Sequence, residues 1–332
     1  MKAAIVGAGF MGSVHADAIS KTDGQLELAW IVDRDKHRGS SLARQHGAKW
    51  TDDVAMVLKD TGTEVVIHAL PTTCRCEYLK KYMAAQKHIL CEKPLALTMR
   101  DAEKIRTAAR GYKKTFMVGH VLRFFWEYRK ARDLILAGDI GKPGIARLSR
   151  ISGPPASRVP EDNWYLDNKR SGGVILDLGI HDLDWLLWTF GAVKRGYAQN
   201  LGNKNAAGDY CLAILKFKCG VLAHVESSWM EAPGVFTTSF EVSGSGGLIE
   251  YDMKDARTLA LMMKKETGAL KAGTSLPESP CLEDPYVAQM KHFAQCVIEG
   301  EKPLAGADEG FESVRLALDL SRSARTGQPV IY

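Results

Sequence analysis

The segment Gly7-Ala8-Gly9-Phe10-Met11-Gly12 constrains this chain more than any other, because it follows a short apolar run, Ala3 to Val6, and opens a helical pattern. Glycines at these positions permit a tight strand-to-helix turn, let the backbone approach a pyrophosphate, and allow a helix to pack closely on a strand. The helix N-terminus then offers free N–H groups to phosphate oxygens. Alone, GxGxxG is a weak signal. Here an acid, Asp33, closes the second strand candidate, Leu28 to Val32, about 20 residues beyond the last glycine, where a carboxylate reads ribose hydroxyls. The combination predicts a dinucleotide site built from Gly7, Gly9, Phe10, Met11, Gly12 and Asp33.

Asp33 also bears on which dinucleotide is bound, since it would face a 2′-phosphate with like charge. At about 4 Å and an effective dielectric of about 20, that repulsion is on the order of 4 kcal/mol per charge pair before screening. NAD is therefore expected. Arg34, with His37 and Arg38 close behind, can pair with such a phosphate, so NADP stands as the alternative.

Up to about residue 118 short β-branched runs alternate with helical patterns, the signature of βαβ units and a parallel sheet. Further strand candidates are Val65 to Ala69, His88 to Cys91 and Thr115 to Val118, and Asp101 to Arg110 reads as a helix after the N-cap Thr98. A long helix, Trp126 to Ala137, ends at Gly138. Beyond it the texture changes to alternating runs, from Ile145 to Ile151 through Leu248 to Tyr251, interrupted by Gly172 to Phe190, which is apolar at helical spacing. Helices near Tyr286 to Glu299 and Asp308 to Arg325 close the chain. The expected architecture is α/β: a doubly wound Rossmann domain over residues 1–120, then an α+β domain over residues 121–332.

At 332 residues, 45% hydrophobic and 25% charged, the composition excludes collagen-like, disordered and disulfide-scaffold classes. The net charge of +5 comes from interspersed residues with no basic arm, so no nucleic-acid partner is expected. Seven cysteines without a CxxC pair indicate neither a disulfide framework nor a zinc site. The opening apolar run is too short for a secretion signal, and no stretch nears the roughly 20 apolar residues that span a bilayer. A cytoplasmic protein without a membrane partner is the expectation.

Two further motifs carry chemistry. Cys91-Glu92-Lys93-Pro94 follows a strand at the carboxyl edge of the predicted sheet, where ligands of open α/β sheets bind. Lys93 is thus placed either to meet a nicotinamide and substrate or to serve as a solvated loop residue. Pro94 restricts Lys93 to extended geometry and admits a cis peptide. The other motif runs from Ser171-Gly172-Gly173 to Asp184 and includes Asp177 and His181. Four residues apart on a helix, these two project from one face, and a carboxylate beside an imidazole makes a general base. A helix-terminal acid and a capped core histidine fit the same spacing. A metal set of His181, Asp182 and Asp184 is disfavoured, because adjacent residues point to different faces. Trp164 and Tyr165, in the loop before this segment, suit either sugar stacking or ordinary packing.

Together GAGFMG, EKP, GHVLRFFWEYRKARDLILAGDIGKPG and SGGVILDLGIHDLDWL resemble the Gfo/Idh/MocA family of oxidoreductases over nearly the whole chain. The resemblance implies a Rossmann domain followed by an open, mostly antiparallel sheet used for substrate binding and oligomer contacts. A homodimer or homotetramer through that sheet follows, with sugars, inositols or related polyols as substrates. It also implies that Lys93, Asp177 and His181 are catalytic, that Glu92 lies near the nicotinamide, and that Arg123 lies near the cofactor–substrate junction. Leu70, Pro71 and Thr72 match the family's loop along the cofactor. One departure stands out: the family often has histidine four residues after that loop's proline, where this chain has Arg75.

The expected activity is hydride transfer between NAD(P) and a secondary alcohol, with His181 as base, Asp177 orienting it and Lys93 facing the developing alkoxide. Two rival functions fit the same motifs. One is a glycoside hydrolase that oxidises its sugar transiently with retained NAD; the other is a dinucleotide sensor without catalysis.

Overall fold

The computed structural model describes residues 1–155, 163–202, 209–254 and 283–332. Its contacts divide the chain into two units, Met1–Phe124 with Glu283–Val314, and Phe125–Leu282 with Arg315–Tyr332.

In the first unit the strands are β1 (Lys2–Val6), β2 (Glu27–Val32), β3 (Lys49–Thr51), β4 (Thr63–His68), β5 (His88–Glu92) and β6 (Phe116–Gly119). Helices α1 (Phe10–Ile19), α2 (Lys36–Gln45), α3 (Val54–Lys59), α4 (Arg75–Ala84) and α5 (Met99–Ala109) alternate with them. The sheet order is β3-β2-β1-β4-β5-β6 and every pairing is parallel. The central strands are apolar without alternation because helices cover both faces: Ile5, Ile31, Ile67, Ile89 and Leu90 are fully buried, each worth about 1.5–3 kcal/mol. The strand order reverses between β1 and β4, which opens a crevice at their carboxyl ends.

The second unit holds α6 (Trp126–Ala137), β7 (Pro143–Ser152), the short α7 (Asn168–Ser171), α8 (Ile180–Phe190), β8 (Val193–Gly202), β9 (Asp209–Phe217), β10 (Leu222–Ser228), β11 (Phe236–Gly244) and β12 (Leu248–Asp252). Helices α9 (Pro285–Glu299) and α10 (Ala307–Thr326) and strand β13 (Val330–Ile331) follow. The sheet order is β12-β11-β7-β10-β9-β8-β13, antiparallel except for β7 with β10. One face is buried under Trp185, Tyr128 and Phe240, whose rings pack at 4.8–5.7 Å. On the strands, Ile145, Leu222 and Ile214 remain 39%, 44% and 46% exposed, with Leu222 opposite Ile145. All three lie on one exposed face of the sheet, where Lys216 stands opposite Leu222 and His224 opposite Ile214.

The expected division at residues 120 and 121 differs from the observed one. Residues 121–124, α9 and the first part of α10 pack with the first unit: the Val118 N–H donates to the Ala305 carbonyl, and Tyr286 of α9 sets its ring edge-on to His15 of α1 at 6.4 Å. The short strands β3 and β13 were also not anticipated, since two or three residues cannot display a period. Among the described residues no helix is long and apolar enough to cross a membrane.

Candidate functional site

The glycine-rich turn explains itself sterically. Gly7 has φ +107°, and a Cβ there would lie 2.8 Å from the Ala69 carbonyl oxygen; at Gly12 it would lie 1.9 Å from the Gly7 oxygen. The turn is therefore packed between α1 and the loop of Leu70, Pro71 and Thr72, which brings two of the expected cofactor segments together. Gly9 differs, since nothing lies within 4 Å of its missing Cβ. It is the N-cap of α1 and supplies no side-chain cap. Phe10 and Met11 form the first turn. A helix N-terminus without a side-chain cap, with open space at its glycine, fits a dinucleotide's pyrophosphate.

Asp33 follows β2 and is buried. Its carboxylate accepts from the Ala8 N–H at 2.7 Å and the Asp35 N–H at 2.8 Å, and from Arg38 Nη2 at 2.9 Å and Nε at 3.3 Å. Four donors use all the lone-pair directions a carboxylate has. Ribose hydroxyls must therefore share or displace the guanidinium. Arg38 is the partner, whereas Arg34, the cation singled out first from the sequence, is exposed.

At the end of β5, Glu92 is buried and accepts from His15 Nε2 at 2.7 Å and the Lys93 N–H at 3.1 Å. Burial pushes its carboxyl up, but the His15 hydrogen bond and the nearby His15, Lys93 and Arg75 outweigh this, leaving it below its ordinary value. Lys93 is half-buried and its bond to Pro94 is cis. Beyond it, Arg75 donates to the carbonyls of Pro94 and Leu70, the latter at 3.3 Å. Neither His15 nor Arg75 was anticipated as part of this turn. The available signal was a histidine on an otherwise small and apolar helix face, with Gly12, Ala16 and Ile19. Arg123 is also buried, and its guanidinium donates to the Leu304 carbonyl.

In the second unit, Asp177 and His181 fall in one helical run, but Ile175–Gly179 is a π turn rather than the expected α-helix, and His181 sits in the first turn of α8. Such turns, where i→i+5 bonds admit an extra residue, recur at functional sites. Gly179 lets this turn lie on β10: a Cβ there would meet Ser227 Oγ at 2.8 Å. Asp177 and His181 are both half-buried. Asp182, next in line, points inward to a fully buried bidentate pair with Arg150, Oδ2 to Nε at 2.7 Å and Oδ1 to Nη2 at 2.9 Å. Burial works against the Arg150 charge, yet Asp182 and the Tyr128 hydroxyl, 3.3 Å away, raise its affinity for the proton. Asp182 is thereby committed to the core. Among the described residues no group of three His, Cys, Asp or Glu gathers as metal ligands. Trp164 and Tyr165 are half-buried and stack on each other, ring centroids 3.9 Å apart.

Comparison with known proteins agrees with this geometry. Residues 1–120 match the family described as "Oxidoreductase family, NAD-binding Rossmann fold", and residues 128–250 match the "GFO/IDH/MocA C-terminal domain". The chain is similar to the scyllo-inositol 2-dehydrogenase (NAD(+)) of Bacillus subtilis, 27% identical over 99% of this chain and 96% of that protein. It is likewise similar to the 1,5-anhydro-D-fructose reductase of Ensifer adhaerens, 28% identical over 94% of this chain and 92% of that one. Among solved structures, GenD2 from gentamicin A biosynthesis in complex with NAD superposes with a TM-score of 0.86 at 25% identity, covering 100% of this chain and 96% of that one. The chain belongs to the Gfo/Idh/MocA family of NAD-binding oxidoreductases.

Proposed function

We propose that the protein oxidises a secondary alcohol of an inositol, sugar or related polyol to a ketone, and reduces the ketone in reverse. One observation carries the reading: Lys93, Asp177 and His181 all stand at their motif positions in a chain that aligns over 99% of its length with an NAD(+)-dependent inositol dehydrogenase. When bound, the dinucleotide supplies the hydride acceptor. Gly9 and the first turn of α1 hold the pyrophosphate, Asp33 takes the ribose hydroxyls, and Leu70, Pro71, Thr72 and Glu92 border the cofactor. His181 removes the hydroxyl proton, and Asp177 orients the imidazole and offsets the charge it gains. The Lys93 ammonium opposes the negative charge that develops on the carbinol oxygen. Trp164 and Tyr165 offer ring surface to the apolar face of a sugar.

The exposed Ile145, Leu222 and Ile214 on one face of the second sheet support a homodimer or homotetramer through that face, which sedimentation equilibrium measures directly. A cytoplasmic setting suits a dinucleotide-dependent enzyme whose described cysteines are free thiols.

The test is a panel of myo-inositol, scyllo-inositol, aldoses and amino sugars assayed by absorbance of reduced cofactor, with NAD and NADP in parallel. Turnover with at least one polyol and a higher kcat/KM with NAD is expected. Tightly retained NAD with glycoside cleavage and no net reduction of added cofactor would instead mark a hydrolase, and cofactor binding without turnover a sensor.

A further inference from the structure

Arg75 opens α4, directly after the short 3-10 turn Thr72–Cys74, and its side chain is only 2% exposed. A guanidinium is rarely taken out of water without a carboxylate against it, because desolvation costs more than ordinary hydrogen bonds return. Here the direct partners are two main-chain carbonyls, of Pro94 and Leu70. They belong to the loops that leave β5 and β4, neighbouring strands that pair His68 with Cys91.

The same turn is secured from its other side. Glu92 accepts the Lys93 N–H and the His15 ring nitrogen, so the residue before Lys93 is tied to α1 and the residue after it to α4. The Arg75 charge bears on His68, Cys74, Tyr82, Cys91 and Glu92. Burial and then Arg75 hold His68 well below its ordinary value, so it is neutral, while burial raises the Cys74 thiol, the Tyr82 phenol and, to about 12, the Cys91 thiol. Glu92 is the one that stays ionised at neutral pH. Arg75 and Glu92 thus bring opposite charges to the main chain around Lys93, one through the Pro94 carbonyl and one through the Lys93 N–H.

We propose that Arg75 is a positioning residue that fixes the Glu92-Lys93-Pro94 turn and so the placement of the Lys93 ammonium. This rests on the reading of Lys93 as the group that faces the developing alkoxide. The fork of the guanidinium matters because it spans two loops at once, which one imidazole or amide nitrogen cannot do. A displacement of about 1 Å at a reacting group is enough to cost roughly 10²-fold in rate.

The experiment uses the full-length enzyme with NAD and whichever of myo-inositol and scyllo-inositol turns over faster, and compares Arg75→Gln, Arg75→Lys, Lys93→Met and Arg75→Gln/Lys93→Met. Arg75→Gln should lower kcat by roughly 10- to 100-fold while leaving the KM for NAD within about threefold. Arg75→Lys should recover part of that loss. In the Lys93→Met background Arg75→Gln should change kcat little, because the residue it positions is gone. Additive losses overturn the proposal and leave the reading of Lys93 intact; full turnover by Lys93→Met overturns that reading and the proposal with it. If thermal unfolding shows that Arg75→Gln does not fold, Arg75→Lys carries the test: a few-fold loss of kcat that disappears beside Lys93→Met is expected, and a loss that persists overturns the proposal.

Discussion

The glycine-rich and EKP turns of the first unit and the π turn of the second place reactive groups by different means. In the first unit the groups stand at or just beyond the carboxyl ends of parallel strands, each tied by bonds to nearby main chain: Asp33 after β2 to the Ala8 N–H, Glu92 at the end of β5 to the Lys93 N–H, and Arg75 at the start of α4 to the Pro94 carbonyl. In the second unit they stand on a helix whose register is altered by the π turn at Ile175–Gly179. His181 is left half-buried and its neighbour Asp182 fully buried against Arg150. On a loop the residues of a site can be read as a motif, because no packing period overlies them. On a helix, packing and chemistry share one period, so Asp177 and Asp182 look alike in sequence although Asp177 is half-buried and Asp182 is fully buried against Arg150.

The sharpest way to break this contrast lies in the second unit. His181→Ala should lower kcat/KM for oxidation by roughly 10²–10⁴-fold and abolish its rise with pH, since the rise reports the base losing its proton. Asp177→Asn should cost less. Retention of near-full activity with the same pH profile would make the histidine structural and leave the proton to Lys93 or water.

Arg150→Leu probes the other half of that helix, where the loss should appear as instability. Removing one partner strands the Asp182 carboxylate in the core, which costs about 3–5 kcal/mol. Urea unfolding measures it, and Arg150→Leu/Asp182→Leu should restore much of the loss, because two apolar residues of similar volume leave no buried charge. A single variant within about 1 kcal/mol of the parent would return Asp182 to the list of residues free for catalysis.

The smallest effect belongs to the first unit. Arg38→Ala frees two lone-pair directions on Asp33 and removes the cation beside a 2′-phosphate, so the preference for NAD over NADP should rise by about tenfold, the order of one charge-assisted hydrogen bond. Parallel kcat/KM values with both cofactors read it. An unchanged or reduced preference would show that Arg38 does not face the ribose, and that Arg34 or His37 answers the phosphate.

What the sequence determined by itself was whatever depends on a residue and its near neighbours. Gly7 and Gly12 are legible because the positive φ and the close approach exclude any side chain. Helix α6 was bounded correctly because Gly138, at φ +84°, can take the left-handed cap; for α5 the cap was legible, since the Thr98 side chain accepts the Asp101 N–H, but the helix runs Met99–Ala109 rather than Asp101 to Arg110. Strand β3 was invisible, having three residues and no period. The tertiary structure alone decided what depends on distant segments meeting. The return of Glu283–Val314 to the first unit, the pairing of His15 with Glu92 across 77 residues, and the choice of Arg38 over Arg34 as the Asp33 partner are of this kind. So is the burial of Asp182 against Arg150 while its neighbour His181 stays half-buried. A buried charge takes the partner that packing brings within reach, and packing is a property of the whole fold that no local spacing records.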